Sequence, residues 1–92
     1  MDILKNPTTV KSLAVQIIKV CDEYISLKLP EKQFRKLLYY YATQHETKLF
    51  STNGINPTIV NRIGKKRLEL VSIMLIGYQH RLSPIRDHLK SF

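Results

Sequence analysis

The chain of 92 residues has little of what builds an active site or a covalent framework. It holds one cysteine, three glycines and no tryptophan, and seven carboxylates stand against fifteen lysines and arginines. A single thiol, Cys21, excludes an intramolecular disulfide and fits a reducing compartment. It falls on the apolar side of the first expected helix, so it reads as a buried structural thiol rather than a redox sensor. Three scattered glycines form no phosphate-cradling loop. Asp22 and Glu23 are the only adjacent carboxylates. Neighbours on a helix point about 100° apart, so they make no acid–base dyad. His45, His80 and His88 lack metal-ligand spacing with one another or with Cys21. Nothing suggests a nucleophile beside a base. The expectation is a protein that is not an enzyme, with no cofactor and no metal. No apolar run approaches 18 residues, and the longest, 68–78, is interrupted by Glu69, Ser72 and Gly77. With no leader-like apolar stretch at the start, the chain is expected to be cytoplasmic, with no membrane partner.

What is abundant is apolar content and positive charge. Apolar residues make up 43% of the chain, enough for one globular domain spanning 1–92. The net charge is +8 and the pI about 9.8. Such a balance favours polyanionic partners. Residues 1–47 carry seven Lys/Arg against five Asp/Glu, and residues 48–92 carry eight against two. The basic character therefore sits in the second half.

That half centres on Ile55-Asn-Pro-Thr-Ile-Val-Asn-Arg-Ile-Gly-Lys-Lys-Arg-Leu68. Asn56 is a good N-cap and Pro57 suits the first helical position. Ile59, Val60 and Ile63 share a face. Gly64 supplies the positive φ that ends a helix at little cost. Lys65, Lys66 and Arg67 then open a second helix. Helix, glycine turn, helix is the helix-turn-helix pattern. Three cations at a helix start oppose the helix dipole, so a partner should offset them, and a phosphate backbone would.

The remaining elements follow from periodicity and punctuation. Residues 1–5 form a short strand or a docked arm. Asn6-Pro7 repeats the cap device, so the first helix is expected from Pro7 to Leu27, with Val10, Leu13, Ala14, Ile17, Cys21 and Tyr24 inward. Leu29-Pro30 breaks the chain. A second helix is expected from Glu31 to Glu46, with Phe34, Leu37, Leu38 and Tyr41 buried and His45 beside them. Tyr39, Tyr40 and Tyr41 are consecutive and so cannot all face inward. Residues 48–55 read as an extended segment with a turn at Asn53-Gly54, a strong hairpin signal. The helix expected over 65–79 is apolar nearly all round, with few polar positions after its first turn. It suits a core or a dimer contact better than a groove, so only its first turn would reach DNA. Pro84 ends any continuation, and 85–92 forms a last short helix. The order is mainly α with a short β element, close to a winged helix-turn-helix whose wing comes from 48–56.

Three stretches also carry a resemblance: Asn6-Pro-Thr-Thr-Val-Lys-Ser-Leu13, Lys48-Leu-Phe50 and Ile55 to Glu69. The combination resembles the small clostridial family that includes TcpK, the relaxosome accessory protein of conjugative plasmids. The resemblance implies a winged helix-turn-helix fold, a homodimer and binding to plasmid origin-of-transfer sites, without the usual insertion of the recognition helix. It carries no residue-level binding map.

Chemistry supplies that map. Arg62, Lys65, Lys66 and Arg67 are the expected phosphate contacts. Thr58 and Asn61 are placed to bond phosphates or base edges. Lys48, Ser51, Thr52 and Asn53 serve if their segment is a wing. The leading expectation is a sequence-specific binder of double-stranded DNA, dimeric, working with other DNA-processing proteins in conjugation. A small transcriptional regulator fits the same features. Two other classes stay open. An RNA binder would use the tyrosine cluster for base stacking. A helical protein-interaction module would use the surplus apolar surface.

Overall fold

The computed structural model describes residues 3–52 and 54–76. The chain is mainly helical with one small two-stranded antiparallel sheet. Helix α1 covers Val10–Ile25, α2 Glu31–Gln44 and α3 Glu46–Leu49. Strands β1 (Phe50–Ser51) and β2 (Gly54–Ile55) form a hairpin, and α4 runs over Pro57–Met74 with an internal break at Gly64.

Helix α1 starts three residues later than Asn6-Pro7 predicts. Its cap is Thr9, whose Oγ1 accepts the Ser12 N–H at 3.0 Å. Asn6 is drawn into tertiary contacts instead, and Pro7 is fully buried. The helix stops at Ile25 rather than Leu27 because Leu27 turns to φ 66°. The Leu27 N–H then bonds the Tyr24 carbonyl at 3.0 Å, and Lys28 N–H bonds the Glu23 carbonyl at 2.9 Å. That is a Schellman ending, a role usually filled by glycine.

Helix α2 ends at Gln44, two residues before the sequence limit, and α3 follows as a single turn. Leu49, expected in an extended segment, closes α3 with its side chain fully buried. The hairpin pairs Phe50 with Ile55 and Ser51 with Gly54. Gly54 therefore lies in β2, at φ 131°, rather than in the turn. Helix α4 ends at Met74, with Leu75 as its C-cap, rather than at residue 79, and Asn53, residues 77–79 and the helix expected over 85–92 fall outside the described residues.

The core is one cluster. Leu13, Ala14, Ile17, Val20 and Cys21 of α1 meet Phe34, Leu38, Tyr41 and Ala42 of α2, with Leu49, Ile59, Ile63, Val71 and Met74 closing it. Helix α4 packs chiefly on α1. Tyr24 stacks on Phe34, ring centroids 4.6 Å apart. At one end of the molecule Arg35 of α2 donates to the Met74 carbonyl at 2.9 Å, satisfying a terminal group of α4.

The other end is closed by residues 3–6, which dock as an arm. The Tyr41 hydroxyl donates to the Leu4 carbonyl at 2.8 Å, and the Leu4 N–H donates to Gln16 Oε1 at 2.8 Å. Tyr40 donates to Asn6 Oδ1 at 2.8 Å. His45 Nε2 lies 3.0 Å from the Lys5 carbonyl. A carbonyl only accepts, so Nε2 carries the hydrogen. Two of the three consecutive tyrosines thus hold the arm, Tyr41 from the core and Tyr40 from its edge.

Candidate nucleic-acid interface

No carboxylate occurs between Glu46 and Glu69, a stretch that contains Lys48, Arg62, Lys65, Lys66 and Arg67. It covers most of α3, the hairpin and the first two-thirds of α4. Local rules explain how it folds. Asn56 caps α4 by accepting the Thr58 N–H at 2.9 Å, and Pro57 takes the first helical position. The same Asn56 reaches back through Nδ2 to the Lys48 carbonyl at 3.3 Å, and its backbone N–H bonds the Leu49 carbonyl at 2.8 Å. One asparagine therefore fixes both the start of α4 and its seat against α3.

Gly64 divides α4 into limbs 57–63 and 65–74. Its φ of 85° and ψ of 167° are non-helical. The glycine turn expected from sequence is thus present, as a break between two helical segments that meet at Gly64. On the first limb Ile59 and Ile63 are buried. Thr58, Asn61 and Arg62 are exposed, on the opposite side. Lys65 and Lys66 are exposed just beyond the kink. Ser51 and Thr52 are exposed on the hairpin, and Lys48 is half-buried at its base. The Ser51 hydroxyl donates to the Gly54 carbonyl at 3.4 Å. Helix α4 has no acidic residue in its first turn, so its positive dipole end is uncompensated from within the helix.

Arg67 is placed differently from its neighbours. It is half-buried, and its guanidinium forks onto Asp22 of α1, Nε to Oδ1 at 3.0 Å and Nη2 to Oδ2 at 3.2 Å. Its Nη1 donates to the Ile63 carbonyl at 3.0 Å. The hydrogen bond to Asp22 raises the guanidinium further above its ordinary pKa, outweighing partial burial. Part of the charge that the sequence sets against the helix dipole is therefore offset from within the chain. Asp22 lies 45 positions away and belongs to the apolar-striped α1, so no local pattern signals it. Sequence reasoning missed this residue.

Among the described residues no group of three or more His, Cys, Asp and Glu side chains stands close enough to hold a metal ion. No described helix is long and apolar enough to cross a membrane.

Residues 4–76 match the model of the CLB_0814 family, described as a conserved hypothetical protein, and the chain belongs to that family. The family description names no partner and makes no connection to relaxosome proteins. No curated protein matches the chain, and no solved structure does.

Proposed function

We propose that this member of the CLB_0814 family is a double-stranded DNA-binding protein. Its contact surface is the exposed side of the first limb of α4, the Lys65–Lys66 pair beyond the kink, and the adjoining hairpin. The observation that carries this reading is the carboxylate-free stretch of 22 residues, from Thr47 to Leu68, whose cations other than Arg67 form no ion pair among the described residues. Arg62, Lys65 and Lys66 supply phosphate contacts. Thr58 and Asn61 supply hydrogen bonds at the helix start, and the small polar residues Ser51 and Thr52 suit a narrow groove as a wing would. In this reading the fold is a winged helix-turn-helix variant. Its hairpin precedes the kinked helix rather than following it. It acts as a homodimer and serves as a relaxosome accessory factor at plasmid transfer origins, with small transcriptional regulators as the neighbouring alternative.

The test is fluorescence anisotropy with a labelled duplex at about 50 and 200 mM salt. Six or more phosphate contacts would weaken binding on the order of 10³-fold over that range. Absence of binding at the lower salt sinks the reading.

A second reading has its own support. Val15, Ile25, Leu27, Ile73 and Ile76 are exposed apolar side chains. A protein-interaction module would use them, and binding to a protein partner with no affinity for any nucleic acid would favour it.

A further inference from the structure

We infer that Asp22 and Arg67 are positioning residues of the proposed interface, and that Arg67 is not one of its phosphate contacts. The inference rests on the DNA-binding reading and assigns a division of labour within it.

Gly64 turns the chain between the two limbs of α4, and a Cβ placed there would meet nothing within 4 Å. Gly64 itself carries no side chain to pack, so the angle of the joint is set by the residues on either side. On either side the nearest fully buried positions are Ile63 and Val71, eight positions apart, with Leu68 and Leu70 half-buried against the core between them. Lys65 and Lys66 lie between the joint and the first of these contacts, and their direction depends on where the second limb starts.

Arg67 spans the interval. Through Nη1 it holds the Ile63 carbonyl, the last one before the kink. Through Nε and Nη2 it grips both oxygens of Asp22 on α1. One side chain thereby joins the end of the first limb, the start of the second and the helix on which both rest. A planar fork with two parallel bonds fixes orientation as well as distance. With three of its five N–H donors and its charge committed to groups of the chain, Arg67 is a poorer phosphate donor than the exposed Lys65 and Lys66.

The two roles give opposite results in three variants. A lysine carries the charge but cannot fork on a carboxylate. As a brace, Arg67→Lys, Arg67→Gln and Asp22→Asn each weaken duplex binding about fivefold, the scale of one well-formed exposed ion pair. In each case the slope of log affinity against log salt stays that of the parent, because no phosphate contact is lost. The fall in Asp22→Asn is the sharpest outcome, since that change makes the protein more positive. Lys65→Gln and Lys66→Gln instead make the slope shallower by about one unit each.

The inference is overturned if Arg67→Lys binds like the parent while Arg67→Gln loses about one unit of slope. It is equally overturned if Asp22→Asn binds more tightly, or if all three variants match the parent. Thermal unfolding followed by circular dichroism identifies any variant that fails to fold. Asp22→Asn, isosteric and exposed, keeps the test available if the Arg67 variants do fail. A parent protein that binds no duplex at low salt removes the DNA-binding reading itself. A parent that binds while the variants behave as direct phosphate contacts removes only the brace.

Discussion

At the residue scale, two side chains show how far local rules carry. Leu27 occupies a left-handed conformation at φ 66° with its side chain 90% exposed. A leucine there strains the backbone by about 1–2 kcal/mol and gains almost nothing from burial. Replacing it with glycine removes the strain and adds some unfolded-state entropy. The net expectation for Leu27→Gly is a gain of about 0.5–1 kcal/mol, read as a melting midpoint several degrees higher. An unchanged or lower midpoint would mean that the leucine side chain contributes something its exposure does not show. Cys21 behaves in the opposite sense. Burial pushes its thiol up to about 12, with only partial relief from Arg67. Only the neutral thiol suits this site, so its contribution to stability is complete below the unfolded-state value and is lost as pH rises toward 12. A disulfide reagent at about pH 8 should therefore leave the folded protein untouched and titrate one thiol after denaturation. The burial of Cys21 was legible from its place in the Val10–Tyr24 stripe. The conformation of Leu27 was not, because leucine carries no signal for a left-handed turn.

At the scale of elements, α4 separates what composition shows from what packing decides. Asn56, Pro57 and Gly64 announce a start and a break, and both occur where the residues place them. A glycine in an uninterrupted helix would make Gly64→Ala favourable by up to about 1 kcal/mol. At φ 85° and ψ 167° an alanine is strained, although its methyl would strike nothing. The expected cost is about 1–3 kcal/mol, measured by chemical denaturation. A stabilising change would contradict the non-helical conformation of Gly64. The start of α1 was misjudged for a related reason. Asn6-Pro7 has the same letters as Asn56-Pro57, but Asn6 bonds Tyr40 across the fold rather than the chain ahead of it. A cap signal competes with tertiary partners, and sequence alone does not display them. The short hairpin was legible in kind, and its register was not. Two residues per strand leave pairing to the neighbouring α3 and α4 rather than to any alternation of side chains.

At the scale of the whole molecule, the candidate interface was half legible. Charge segregation and the run Lys65–Arg67 marked the region, and the exposed side of the first limb carries Thr58, Asn61 and Arg62 as expected. The Asp22–Arg67 brace was hidden because it joins distant helices. The arm of residues 3–6 is the other long-range device. Removing the Tyr41 hydroxyl in Tyr41→Phe leaves the Leu4 carbonyl without that donor, and the expected loss is about 1 kcal/mol in denaturant unfolding. The amide of Leu4, held by Gln16, should become measurably faster in hydrogen exchange in that variant if the arm lifts as a unit. This arm also sets an order in time. Ribosomal synthesis delivers residues 3–6 before any of their holders, and the groups that grip them, Gln16, Tyr40, Tyr41 and His45, emerge later. The part of this sequence made early thus waits for α1 and α2 before any of these bonds can form.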